Sequence, residues 1–135
     1  MTFIDRMEAL AKDLATLGYS VVAPVRESES IDWDALSDQE RVSLKKSYID
    51  GHLLNVRTSD IVLIANYTKN GTEGYIGANT LMELSFAYAL GISVAYLFPV
   101  GDQPCKLEAE AVSRFVVGED LSTINELAVK ESLTK

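Results

Sequence analysis

The sequence predicts an α/β protein built on a doubly wound, mostly parallel sheet. Apolar runs of strand length alternate with segments of helical period along the whole chain, with no internal repeat and no low-complexity linker. The stretch from Ser59 to Pro99 reads strand, glycine-rich loop, helix, strand, which makes a right-handed βαβ unit with parallel strands. The remaining apolar runs place further strands on either side of that unit, so helices are expected on both faces of the sheet.

The elements follow in order. Phe3, Met7, Leu10, Leu14 and Leu17 recur at helical spacing, with Thr2 as the N-cap and Gly18 as the stop. Tyr19 to Pro24 reads as a short strand that Pro24 ends. Arg26 to Asp34 is a polar, acidic surface loop carrying the only tryptophan, Trp33. That ring is read as a lid packed on its own domain, with base stacking as the alternative. Ser37-Asp38-Gln39-Glu40 fits the capping box and opens a long helix from Asp38 to Arg57. Val42, Lys45/Lys46, Ile49, Leu53 and Val56 mark its buried side, and Gly51 interrupts it at roughly 1 kcal/mol against Ala. Tyr48 and His52 share a face. Nothing in the sequence pairs this sole histidine with a nucleophile or a second metal ligand, so it is read as a surface or half-buried helix residue.

Asp60 then leads into Ile61-Val62-Leu63-Ile64-Ala65, a run too short for a helix and rich in β-branched residues. Gly71, Gly74 and Gly77 among Thr, Asn and Lys make the following segment a loop. Thr80 opens a helix that reaches Leu90 and stops at Gly91, and Ile92 to Phe98 is a second strand ended by Pro99. Gly101 to Pro104 is a turn, Lys106 to Ser113 a short helix, Phe115 to Val117 an edge-like strand, and Leu121 to Leu133 an amphipathic helix. The strands thus fall near residues 20, 61, 93 and 116, and the chain opens on a helix. The expected topology is flavodoxin-like, lacking the usual first strand, which lies centrally beside the switch point. The long helix is expected beside the strand from Ser59 to Asn66. The gap is expected to be closed by pairing of the strands near Val21 and Val62, or by a partner subunit.

Composition bounds the function. A chain of 135 residues, 47% hydrophobic and 24% charged, suits one domain over residues 1–135 with a proper core. Twelve basic and 20 acidic residues leave a net charge of −8, which argues against polymeric nucleic acid and anionic membrane as partners. A single nucleotide needs only a local positive site and is not excluded. No run is long enough to span a bilayer, and no basic segment with an apolar run marks a signal peptide. Cys105 is alone, so there is neither a disulfide framework nor a cysteine metal set, and a cytoplasmic location is expected. Neither a metal nor a cofactor is expected.

Ligands of such sheets sit beyond the carboxyl ends of the strands. The loop from Asn66 to Asn79 and the start of the next helix are therefore the place to look, with Asn66, Tyr75, Gly77, Asn79 and Thr80 as binding candidates. Glu83 raises the main question. Phe86, Ala87 and Leu90 follow it at three, four and seven positions, so it heads an apolar stripe. It is either a cap, reaching back to Thr80 in a Thr80-Leu81-Met82-Glu83 capping box, or a reagent.

Asp60-Ile-Val-Leu-Ile-Ala-Asn66, followed by Tyr75-Ile-Gly-Ala-Asn-Thr-Leu-Met-Glu83-Leu-Ser-Phe-Ala-Tyr-Ala-Leu-Gly91, resembles the nucleoside 2-deoxyribosyltransferase superfamily. The likeness extends to the N-terminal helix with Gly-Tyr-x-Val-x-x-Pro after it, and its most specific part is Glu83-x-x-x-Ala87-x-x-x-Gly91 before a strand. The resemblance implies that Glu83 is a nucleophile, that Asp60 helps recognise the base, and that the protein is a homodimer or higher homo-oligomer whose neighbour helps complete the site. It implies cleavage or transfer at the N-glycosidic bond of a deoxynucleoside or its 5′-phosphate. A non-catalytic nucleotide binder on the same scaffold is the alternative. Glu83 would attack C1′ through an oxocarbenium-like transition state, as in a retaining glycosidase, with Asp60 or a loop residue protonating the base. Loop amides near Gly77, the helix dipole, Asn79 and Thr80 would hold a 5′-phosphate. Tyr75 or Tyr67 would donate a hydrogen bond that keeps Glu83 ionised. Two features depart from the family pattern. The opening strand and small-residue turn that precede the first helix are missing, and Gly77-Ala78-Asn79 replaces an acidic residue expected before the nucleophile. Either the start lies further upstream or the scaffold has lost the activity.

Overall fold

The computed structural model describes residues 3–23 and 31–128. The chain is mixed α/β and gathers into two compact units, Met1–Asn55 and Val56–Lys135.

In the first unit, α1 (Phe3–Thr16) ends where Gly18 N–H donates to Ala15 O at 3.0 Å and Tyr19 N–H to Leu14 O at 3.3 Å. That is the glycine stop its sequence encodes. The expected cap, Thr2, lies outside the described residues. Residues 19–23 are irregular, which corrects the strand expected from Tyr19 to Pro24. Two adjacent valines favour extended backbone, but a strand forms only where a ladder accepts its amides, and Val22 is 64% exposed. Pro24 and residues 26–30 of the acidic loop lie outside the described residues.

A 3-10 turn at Trp33–Ala35 precedes α2 (Asp38–Arg57). The Trp33 and Tyr48 ring centroids lie 6.3 Å apart, and the Arg41 Nε donates to Trp33 O at 2.8 Å. The capping box forms as its residues dictate: Ser37 N–H donates to Glu40 Oε1, and Glu40 N–H to Ser37 Oγ, both at 3.1 Å. These bonds to Ser37, backbone first, hold the Glu40 carboxyl below its ordinary range. The apolar stripe of α2 is buried only at its end. Val56 is buried, Ile49 and Leu53 are half-buried, and Val42 is 70% exposed.

In the second unit, β1 (Ile61–Ile64) and β2 (Ser93–Tyr96) pair in parallel, with Ile61 opposite Ser93 and Ile64 opposite Tyr96. The crossover between them is α3 (Ala78–Ala89), which packs on both strands and on α4 (Lys106–Val112). Gly91 ends α3, with Ile92 N–H donating to Ala87 O at 2.9 Å. Residues 115–118 run beside β2 as a parallel bridge: Tyr96 N–H donates to Phe115 O, Val117 N–H to Tyr96 O and Gly118 N–H to Leu97 O, at 2.8–2.9 Å. The edge-like strand is thus present in reduced form. Four parallel strands were expected; among the described residues the sheet has two, plus this bridge, and no strand near Val21 pairs with β1.

Val56, Ile64, Ile76, Leu84, Ala87, Val94, Tyr96 and Ala109 form one core cluster. Alternation along β2 sends Ala95 and Leu97 to the opposite face, where both are also buried. A strand covered on both faces explains the continuous apolar run in the sequence. The Tyr96 hydroxyl donates to Ala109 O at 2.6 Å, and burial pushes its pKa up to about 12. A turn at Leu121–Thr123 leads into helical residues 124–128, with Ile124 and Leu127 buried; the expected continuation to Leu133 lies outside the described residues. No described helix is long and apolar enough to cross a membrane.

Candidate functional site

The carboxyl ends of β1 and β2 are locked by one side chain. Asn66, 2% exposed, donates from Nδ2 to Phe98 O at 2.7 Å and accepts from Phe98 N–H at 2.9 Å. A primary amide carries an acceptor and a donor side by side, so it satisfies both backbone groups and continues the ladder where the strands diverge. Asn66 therefore serves the scaffold here, where the sequence suggested a ligand contact.

Beyond it the chain folds into a tight hairpin. Lys69 and Thr72 exchange backbone hydrogen bonds at 3.1 and 2.9 Å, and the two residues between them, Asn70 and Gly71, have φ of 51° and 78°. Positive φ at both central positions is the primed turn that Asn-Gly favours. The hairpin brings the Lys69 Nζ to 5.6 Å from the Tyr75 ring centroid. Tyr67 packs on Phe98, with centroids 5.8 Å apart.

Next, the loop crosses the segment that follows β2. Gly74 has φ 61°, and a Cβ there would overlap the Pro99 carbonyl; a Cβ on Gly101 would overlap the Glu73 carbonyl. Gly101 N–H donates to Gly74 O at 3.2 Å. Gln103 completes the crossing. Its Oε1 accepts from Ile76 N–H at 2.8 Å, and its Nε2 donates to Gly74 O at 2.8 Å and to Gly101 O at 3.1 Å.

From buried Ile76 the chain enters α3. Gly77 is the N-cap, with extended backbone and no side-chain capping bond, and Leu81 N–H closes the first turn onto Gly77 O at 2.9 Å. The helix therefore starts before Thr80, which corrects the capping-box reading of Glu83. With Thr80 inside the first turn, Glu83 is no longer three residues from the cap. It lies about 9 Å along the axis from Gly77 and about 100° around it from Leu84, at the border of the buried Leu84–Ala87 stripe. Its side is half-buried.

The structure gathers Tyr75, Gly77, Asn79 and Thr80 at the start of α3. Asn79 is exposed, and Tyr75, Gly77 and Thr80 are half-buried. Asp60 is not among them. It is exposed at the amino end of β1, and the five residue steps from Asp60 to Ala65 put about 16 Å between Asp60 and the start of the loop. Lys69 and Gln103 join the site instead. Neither was singled out from the sequence, although both lie just past the carboxyl ends of strands, where parallel sheets place their ligands. A shallow depression of about 280 Å³, lined by Tyr88, Ile92, Val112 and Ser113 among others, lies at the other end of β2. Among the described residues no group of three His, Cys, Asp or Glu side chains is placed to hold a metal ion.

The arrangement offers a loop tied down by Gln103, a helix start without a side-chain cap, one lysine and a tyrosine ring, with a carboxylate further down the helix. Such a set suits a ligand that combines an anion with a flat ring. No family model, no curated protein and no solved structure matches this chain.

Proposed function

We propose that the chain binds a nucleoside or nucleotide at the start of α3 and cleaves or transfers its N-glycosidic bond. The observation that carries this is the start of α3 without a side-chain cap, preceded by Tyr75 with Lys69 beside its ring, and Glu83 about 9 Å along the same helix. A 5′-phosphate would take the helix amides, Asn79 and Thr80, and Lys69 would supply the local positive charge that a chain of net charge −8 otherwise lacks. A sugar extending down the helix would bring C1′ toward Glu83. The Glu83 carboxylate would then form an ester to C1′ as the bond from C1′ to the base nitrogen breaks. The departing base takes a proton from a loop residue. Water or a second base opens the ester and regenerates the carboxylate. This reading carries the resemblance to the nucleoside 2-deoxyribosyltransferase superfamily forward.

The place of Asp60, at the far end of β1 from the loop, favours a second reading: a nucleotide binder without turnover, on the same residues. Glu83→Gln separates the two. It preserves shape and removes the nucleophilic charge, so free base released from deoxynucleosides or their 5′-monophosphates should fall at least about a thousandfold while substrate still binds. If the wild type releases no base from any of them, yet a deoxynucleotide raises its melting temperature, the binder reading replaces the enzyme.

A further inference from the structure

We propose that Gln103 is the positioning residue of the candidate site, setting the direction in which Tyr75 and the first amides of α3 are presented. Its side chain makes three hydrogen bonds to backbone, and two of them fall on the residues that bracket Tyr75, namely Gly74 O and Ile76 N–H. The peptide groups on either side of that ring are therefore held by one amide from another loop. The third bond, to Gly101 O, closes the same side chain onto its own loop, so the hold is not a swinging contact. Ile76 is 5% exposed and anchored in the core, and the next residue is the N-cap of α3. A shift at Ile76 thus moves the helix amides as well as Tyr75.

The chemistry is specific. The side chain must accept at one atom and donate at another, to two carbonyls. A primary amide does so, a carboxylate does not, and a neutral carboxylic acid restores the acceptor and one donor. The glycine crossing beneath it explains why the two loops come close enough for one side chain to bridge them. A loop held in its binding geometry before the ligand arrives loses less freedom on binding, which is how a residue that need not touch the ligand governs affinity.

Amide hydrogen exchange on the whole chain tests this without any ligand, using wild type, Gln103→Ala and Gln103→Glu. In Gln103→Ala, exchange at Ile76 should quicken about tenfold, as expected for loss of a backbone-ordering hydrogen bond, while β2 amides hold their wild-type rates. At pH 7.5 Gln103→Glu should resemble Gln103→Ala, because its carboxylate faces two carbonyls. Those carbonyls favour the protonated form, so relative to wild type at each pH the loop should tighten again toward pH 5.5. Unchanged exchange at Ile76 in Gln103→Ala, quickening shared equally by β2, or a Gln103→Glu loop indifferent to pH would each overturn the proposal. A second arm rests on the nucleotide reading above: the Kd for a deoxynucleoside 5′-monophosphate should weaken about tenfold in Gln103→Ala. Full affinity with a loosened loop would overturn the positioning role. If the wild type binds no nucleotide, it is the functional reading that falls, and the exchange result alone decides Gln103.

Discussion

Asn66 shows how much one side chain fixes at the carboxyl edge of the sheet. Both polar atoms of this 2% exposed side chain are spent on Phe98, so removing them leaves a part-buried backbone N–H and C=O without that partner. Asn66→Ala should cost about 2–3 kcal/mol by urea unfolding, the lower end of what two unsatisfied groups cost, because water reaches part of the site. Asn66→Asp should recover little near neutral pH, since a carboxylate accepts from Phe98 N–H but opposes Phe98 O. A loss under 1 kcal/mol in Asn66→Ala would return this residue to the list of ligand contacts. Glu83 belongs to the other kind of residue, half-buried at the margin of a stripe, where the expected loss on substitution to Gln lies in turnover more than in stability.

At the scale of elements, α2 begins where its capping box says it should. Ser37→Ala should destabilise by about 1 kcal/mol, read as a lower urea midpoint. The Glu40 half of the box makes this start acid-sensitive. Its folded pKa lies below the unfolded value, so its contribution is present above the unfolded pKa and is lost as pH falls through the folded one. Stability of the wild type should therefore decline toward acid pH more steeply than that of Glu40→Gln, and parallel pH profiles for the two would contradict this. α3 tells the opposite story. Its start carries no side-chain cap, and the loop before it is held from outside by Gln103 and the Gly74–Gly101 crossing.

At the scale of the whole molecule, α2 leaves apolar side chains in solvent. Val42 is 70% exposed and Ile49 and Leu53 are only half-buried, on the side of α2 that the sequence marks as buried. We propose a homodimer burying that stripe against its symmetry mate. Each copy carries a net charge of −8, so association should strengthen as salt screens the repulsion, the screening length falling from about 30 Å at 0.01 M to about 10 Å at 0.1 M. Sedimentation at micromolar concentration in 0.15 M salt should give a dimer or larger species. A 14.8 kDa particle alone would refute it.

The sequence by itself determined α1 to α4: α1, α2 and α4 with their ends close to the expected residues, and α3 two residues early at its start. It also determined the parallel βαβ unit around β1 and β2. These are local matters, set by caps, glycine stops and the period of apolar residues, and they need no knowledge of what lies across the fold. The tertiary structure decided what needs a partner. Residues 19–23 have the composition of a strand, yet ladder hydrogen bonds come only from a neighbour, and none reaches them among the described residues. Thr80 matched a capping box in sequence, but the first turn closes on Gly77, because the loop before it is already fixed by Gln103, 26 residues beyond that glycine. Asp60 and Asn66 sit at the two ends of one short strand, so chain order alone separates Asp60 from the loop, whereas only the fold brings Phe98 against Asn66 and turns that side chain into scaffold.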